Sequence, residues 1–435
     1  MSNYLIAIIG RPNVGKSTLF NRIIGERNAI VHDLPGVTRD RHYAEAEWAG
    51  KQFTLVDTGG FLPNSDDVFD SAIREQAQIA INESDAIIFL VDAEQGVTSA
   101  DEELATIIRK SQKPIFIVVN KIDSDKRENR LGEFYKLGLG EPISISALGG
   151  RRIGDFLDTI TEAISESADD TSDERLRLAI VGRPNVGKSS IVNTLLGKTR
   201  TIVTHIAGTT RDPIDSILKI NKEEILLIDT AGLRKKSKIE ESVEFYSTLR
   251  TIKSIERCNV AIVVIDASVG LEKQDFYVIE RAVEARKGIL LCGNKWDLVE
   301  KDDKTAIKHE IRLREQLREY DYLPIMFVSA LTKQRILKII ESAKEINEER
   351  GKRIPTTELN KHFEDTFFNS PPPSKSGKDI SLKYVTQTKV NPPIFLFFAK
   401  EPKLITENYR RYLERLLREG FGFAGVPLTL QFRKK

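Results

Sequence analysis

Gly10-Arg11-Pro12-Asn13-Val14-Gly15-Lys16-Ser17, GRPNVGKS, is repeated without change at Gly182–Ser189, an offset of 172 residues. Each copy has the spacing G-x-x-x-x-G-K-[ST]. In that pattern, glycines let the backbone N–H groups of a strand-to-helix loop close on phosphate oxygens. Each copy follows an apolar run that reads as a buried strand, Leu5–Ile9 in the first and Leu176–Val181 in the second. One such loop is compatible with any nucleotide site. Two, each opening a stretch of about domain size, predict two nucleotide-binding domains in tandem.

The repeat continues in order. Val37-Thr38-Arg39-Asp40 matches Thr209–Asp212, and Asp57-Thr58-Gly59-Gly60 matches Asp229–Gly232, both at the offset of 172. Asp92-Ala93 with Gly96 matches Asp266-Ala267 with Gly270, and Asn120–Asp123 matches Asn294–Asp297, both at 174. Ser146-Ala147-Leu148 matches Ser329-Ala330-Leu331 at 183. Ordered motifs in near-constant register indicate duplication.

Between the motifs, strand-like runs alternate with helical stretches: Thr54–Val56, Ala86–Val91, Ile115–Val119 and Ile143–Ile145, then Ile225–Ile228, Val260–Ile265, Ile289–Cys292 and Ile325–Val328. Continuous apolar runs in βα order predict an α/β fold, a mostly parallel sheet with helices on both faces, twice over. The predicted division is 1–165, an acidic linker at 166–175, a second domain at 176–352 and a small α+β domain at 353–435. With 435 residues there is room for all three. The charged fraction is 30% but the net charge is only +2, so composition alone does not call for nucleic acid. Cys258 and Cys292 lack metal or disulfide spacing and read as buried apolar residues. No leader and no apolar run of membrane length is read, so a cytoplasmic, non-membrane protein is expected.

The motifs assign chemistry. Lys16 and Lys188 are placed to reach β and γ phosphates, and Ser17 and Ser189 to put a hydroxyl on Mg²⁺. Asp57 and Asp229, just past their strands, supply a carboxylate to the same ion. Gly60 and Gly232 can turn an N–H toward the γ phosphate. Thr38 and Thr210 lie in polar loops and can close on Mg²⁺ and γ phosphate as switches do. Asn120-Lys121-x-Asp123 and Asn294-Lys295-x-Asp297 name the base. Asp123 and Asp297 can accept from N1–H and the exocyclic amine of guanine, a donor pair that adenine lacks. Ala147 and Ala330, each following Ser146 or Ser329, can offer a backbone N–H to guanine O6. GTP or GDP with Mg²⁺ is therefore expected at two sites.

With these motifs on the page, the chain resembles the EngA/Der family of double-Era-like bacterial GTPases. PGVTRD (Pro35–Asp40), AGTTRD (Ala207–Asp212), DTAGLRKK (Asp229–Lys236), TQTKVNPP (Thr386–Pro393), Asn408–Phe423 and GVPLTLQFR (Gly425–Arg433) carry the likeness over essentially the whole chain. The resemblance implies a GTP hydrolase acting in assembly of the large ribosomal subunit through its rRNA, with a KH-like third domain; a monomer is expected. The position after DxxG, where Ras-type enzymes keep a water-orienting Gln, holds Phe61 or Leu233, so slow intrinsic turnover is expected. Related potassium-activated GTPases use a P-loop Asn to hold K⁺, which makes Asn13 and Asn185 candidates; a loop Asn bonding its own backbone is the alternative. Where a glycine is usual near the guanine loop, the second copy has Thr332-Lys333-Gln334-Arg335, against Gly149-Gly150 in the first. A different kind of function also fits the motifs: a regulatory nucleotide-sensing module in which one domain hardly turns over. A tRNA-modification or translation factor is disfavoured, since no further catalytic cluster is read.

The C-terminal segment 355–435 holds 14 Lys and Arg against 8 Asp and Glu. A helix over 402–419 is expected to carry Arg411, Arg415 and Arg418 as a stripe that neutralises phosphate or as a solvated face. Ile380, Leu382 and Tyr384 are expected to alternate along a strand. Gly422-Phe423-Ala424-Gly425 reads as a turn and not as the backbone clamp of an RNA-binding KH domain. The basic run Arg234, Lys235, Lys236 and Lys238 reads either as solvated charge or as a contact that changes with nucleotide.

Overall fold

The computed structural model describes residues 4–25, 43–58, 77–78, 80–82, 84–165, 175–198, 215–220, 223–230, 250–299, 305–373 and 380–434. Contacts divide the chain into two units, one containing the first repeat, the other containing the second repeat together with the C-terminal segment.

In the first repeat, β1 (Tyr4–Ile9), β2 (Tyr43–Trp48), β3 (Lys51–Asp57), β4 (Ala86–Asp92), β5 (Ile115–Asn120) and β6 (Ile143–Ser144) form one sheet in the order β2-β3-β1-β4-β5-β6. Only the β2–β3 pair is antiparallel among the paired strands. Successive residues of β1 feed opposite cores: Leu5, Ala7 and Ile9 join one cluster, Ile6 and Ile8 another. The continuous apolar run is explained by burial of both faces.

The second repeat has β7 (Leu176–Val181), β8 (Ser216–Ile220), β9 (Glu223–Ile228), β10 (Val260–Asp266), β11 (Gly288–Asn294) and β12 (Ile325–Phe327). Its order, β12-β11-β10-β7-β9-β8, is the same topology with the same antiparallel edge pair. The edge strands β2 and β8 were not expected from sequence. Their short runs, with Ala44 and Ala46 as the buried residues of β2, lack the continuous apolar signal of the inner strands.

The C-terminal segment runs helix Thr356–Asn369, β13 (Leu382–Lys389), β14 (Ile394–Ala399), helix Glu407–Phe421 and β15 (Thr429–Lys434), the expected order. Two local expectations are corrected. The long helix starts at Glu407, after a separate turn at Pro402–Leu404, and runs past Gly420 to Phe421, where Gly422 takes φ 87°. Gly420 lies inside it because a Cβ there would sit 2.5 Å from the His362 ring. In β13 an irregularity between Leu382 and Tyr384 breaks the alternation, so Leu382, Val385 and Gln387 point inward and Tyr384 outward.

The second repeat and this segment share one apolar core. It extends from Leu290 and Ile346 to Phe363, Phe395, Leu413 and Phe423. Buried Gln387 accepts from Ile354 N–H (2.8 Å) and donates to Lys352 O (2.9 Å), fixing the chain where one joins the other. Cys258 and Cys292 are buried thiols, as expected, and burial pushes them up to about 11 and about 12.

Candidate nucleotide sites

β1 and β7 each deliver a glycine onto the neighbouring strand. A Cβ at Gly10 would strike Leu90 O, and one at Gly182 would strike Val264 O. Gly15 and Gly187 take φ 98° and 94°, and Asn13 and Asn185 take φ 64° and 62°. Asn tolerates the left-handed region best among residues with a Cβ, so the loop shape alone gives both asparagines a reason to be there.

Lys16 and Lys188 open the helices Lys16–Gly25 and Lys188–Lys198. Lys16 Nζ donates to Gly10 O (2.8 Å) and Arg11 O (2.9 Å); Lys188 Nζ donates to Gly182 O and Arg183 O, both at 2.7 Å. Burial pushes each ammonium down to about 8. A cation largely buried at a helix N-terminus, beside a glycine-rich loop, can seat polyphosphate.

Ser17 Oγ donates to Asp57 Oδ2 at 2.6 Å, which places a hydroxyl and a carboxylate together. These are hard oxygen donors of the kind Mg²⁺ takes alongside phosphate oxygens. The second copy differs in detail. Asp229 takes φ 55°, its N–H donates to Asp215 Oδ1 (2.9 Å), and its carboxylate accepts from Ser254 Oγ at 3.4 Å. Asp215 is in turn paired with Arg257 at 2.5 Å.

The guanine motifs are built alike in both repeats. Ser146 and Ser329 hydroxyls donate to Asp123 and Asp297, orienting the two carboxylates. Asn120 donates to Val14 O (2.8 Å) and accepts from Ala147 N–H (2.9 Å); Asn294 does the same with Val186 O (2.8 Å) and Ala330 N–H (3.0 Å). Sequence reading aimed those alanine amides at the base. The structure gives them to asparagine first, so a base carbonyl would have to share them.

The loop after Leu331 keeps its shape without glycine. Gly150 takes φ 74° and Lys333, at the matching place, takes φ 61°. Gly149 N–H donates to Ser146 Oγ (3.0 Å) as Thr332 N–H does to Ser329 Oγ (3.1 Å). A left-handed lysine costs about 1–2 kcal/mol, and the serine bridge holds it.

Two positioning residues, Asp92 and Asp266, are not legible as such from the sequence. Lys121 and Lys295, both at positive φ, donate to Asp92 and Asp266 at 2.6 Å. The repeated Asp-Ala pair had been read only as a register mark. Thr38, Gly60, Thr210 and Gly232 lie outside the described residues, as do Phe61, Leu233, the basic run Arg234–Lys238 and the linker positions 166–174. Among the described residues, no cluster of three His, Cys, Asp or Glu could hold a metal by itself. No helix of these residues is long and apolar enough to cross a membrane.

The arginine stripe is corrected. Arg418 is 13% exposed; its guanidinium lies 3.7 Å from the centre of the Tyr322 ring and donates to Glu414 (2.6 Å) and Phe423 O (2.9 Å). Arg411 pairs with Glu319 of the second repeat at 2.8 Å. Arg415, 67% exposed, faces solvent beside Glu419. The Gly422–Gly425 turn docks on the second repeat: Phe423 is buried and its N–H donates to Glu349, Gly425 N–H donates to Tyr322 O, and Ile289 N–H donates to Gly425 O. It is a docking turn, with Phe423 and Gly425 buried against the second repeat.

These paired sites agree with what is similar. A family model described as 50S ribosome-binding GTPase matches residues 5–121 and again 177–295. A second, described as the C-terminal KH-domain-like region of EngA bacterial GTPase enzymes, matches 353–433. A GTPase Der from Chloroherpeton thalassium is 52% identical over 99% of both chains, and one from Cytophaga hutchinsonii is 48% identical over the full length of both. The chain belongs to the Der (EngA) family of GTPases. A Der relative from Clostridium botulinum is 49% identical across 100% of this chain and 99% of its own. Among solved structures, Era from Aquifex aeolicus aligns at 21% identity over 76% of this chain and 93% of that one, with a TM-score of 0.32. As a Der-family GTPase the chain carries two GTP-binding domains followed by the KH-like domain.

Proposed function

We propose that both domains bind GTP or GDP with Mg²⁺, hydrolyse GTP with K⁺ stimulation, and drive a switch that acts on the large ribosomal subunit and its rRNA during assembly. The observation that carries this reading is the doubled asparagine brace, Asn120 and Asn294. Each ties a phosphate loop to a guanine loop at matching distances in the two repeats.

Lys16 and Lys188 neutralise the β and γ phosphates, and the amides from Gly10 to Lys16 and from Gly182 to Lys188 cradle them. Mg²⁺, when bound, would supply positive charge that offsets the charge of the phosphates. Ser17 with Asp57, and Ser189 with Asp229, would hold it, with Thr38 and Thr210 closing over it. Gly60 and Gly232 direct an N–H at the γ phosphate. Asp123 and Asp297 accept from the guanine edge, and the Ala147 and Ala330 amides are shared between asparagine and O6. Asn13 and Asn185 hold K⁺ where no side chain after DxxG orients water. The partner is the cytoplasmic large subunit, engaged by the protein as a monomer, and the basic C-terminal domain supplies phosphate contacts through Arg415 and its other exposed cations.

Base exchange and salt exchange test this together. Asp123→Asn or Asp297→Asn should weaken GTP at its own site and favour xanthine nucleotide, which presents an acceptor there. Turnover should fall when Na⁺ replaces K⁺ at constant ionic strength. ATP competing equally with GTP would overturn the guanine sites, and equal rates in the two salts would remove K⁺ from the mechanism.

A further inference from the structure

The phosphate loops carry an arginine that the nucleotide reading does not use. Arg11 and Arg183 point away from their lysines, toward the helices Ser99–Arg109 and Lys273–Glu284. Arg11 Nε lies 3.2 Å from Asp101 Oδ2, and its Nη1 donates to Gln95 at 2.5 Å. Arg183 Nε lies 3.3 Å from Asp275 Oδ2, and its Nη1 lies 2.9 Å from Glu272. Asp101 and Asp275 are fully buried, each the third residue of its helix. The same Oδ2 that meets arginine also takes the N-cap N–H, from Thr98 at 3.1 Å or Glu272 at 3.0 Å.

As a stabilising device this pair is poor. Among the described residues, Oδ1 of both aspartates and Nη2 of both arginines are buried with no hydrogen-bond partner. Buried ion pairs left incompletely bonded are replaced by apolar side chains with little loss or a gain in stability. Yet the arrangement occurs twice. What it fixes is the backbone of the arginine, whose carbonyl is one of the two acceptors of the phosphate-loop lysine, at 2.9 Å in the first repeat and 2.7 Å in the second.

We infer that Asp101 and Asp275 are positioning residues for nucleotide binding: through Arg11 and Arg183 they set the carbonyl that aims the Lys16 and Lys188 ammonium groups. The inference rests on the two-site nucleotide reading. It extends each site by one buried carboxylate on the helix that follows β4 or β10, the strand paired with the one that leads into the phosphate loop.

The test uses the full chain with Lys188→Ala, so that GDP binding reports the first site. Arg11→Met with Asp101→Asn, which keeps an acceptor for the Thr98 N–H, should stay folded with a Tm close to that of the parent, while the Kd for a fluorescent GDP analogue rises about tenfold, the loss usual when the support of a binding group is removed. Arg11→Lys, which keeps a cation beside Asp101 but loses the planar fork that also reaches Gln95, should raise Kd several-fold with the fold intact. GDP affinity equal to the parent's in either folded variant overturns the inference. A parent that binds no GDP would instead defeat the nucleotide reading. The mirror set, Arg183→Met with Asp275→Asn in a Lys16→Ala chain, should repeat the result at the second site.

Discussion

Asn120 Nδ2 donates to the carbonyl of Val14 at 2.8 Å, joining the guanine motif to the phosphate loop, and Asn294 makes the matching bond to Val186. One buried side chain thus sets the spacing between the two ends of a nucleotide. Asn120→Ala would strand a buried carbonyl and a buried N–H, each worth about 1–3 kcal/mol. Guanine nucleotide affinity at the first site should fall at least about tenfold, with the second site unchanged. Titration of the full chain, with each site read separately through a Lys→Ala partner, checks this.

Protons should follow the phosphate. Burial holds Lys16 and Lys188 near 8 against an ordinary 10.5. Their lowered folded pKa means that burying the charged form costs stability below about 8, a cost relieved as pH rises toward 10.5. Bound phosphate favours the charged form. Nucleotide binding near pH 8 should therefore take up protons, and affinity should fall as pH climbs beyond 8. Calorimetry of GDP binding in two buffers of different ionisation enthalpy reads the uptake directly; identical heats would contradict it.

Arg418 packs at the interface between the KH-like domain and the second G domain. Its ring contact with Tyr322 joins the KH-like domain to the second G domain, and its bonds to Glu414 and Phe423 O hold the guanidinium in place. Arg418→Ala should cost about 2–3 kcal/mol in unfolding of that unit. Arg415→Glu should leave stability within about 0.5 kcal/mol, as exposed charges do, and should weaken RNA binding. Denaturant melts and RNA titration of the two variants separate the roles.

Much of this was legible in the sequence because the phosphate and guanine motifs follow strands buried on both faces, whose apolar runs are unbroken. The edge strands β2 and β8 were not: β2 buries only small Ala44 and Ala46 among its described side chains, and in β8 the short Ile217-Leu218 pair is bounded by polar residues and carries little periodic signal. The outward turn of Tyr384 depends on an irregular pairing with β14, which no alternation pattern records. Arg418 looked like a phosphate contact because helical spacing shows which residues share a face but not what packs against it. The same limit hid Asp101, a helix-cap residue whose link to Arg11 spans 90 positions.

The central claim is that nucleotide state sets engagement of the large ribosomal subunit. A ligand shifts such an equilibrium only through contacts that differ between states, a role we propose for Thr38, Thr210, Gly60 and Gly232. Co-sedimentation with purified large subunits, in a non-hydrolysable GTP analogue and in GDP across a salt series, measures this most directly. The account predicts a marked difference between the two nucleotides, a steep decline of binding with salt, and loss of the difference in Lys16→Ala or Lys188→Ala. Equal binding in both nucleotide states would contradict it, even with GTP hydrolysis intact.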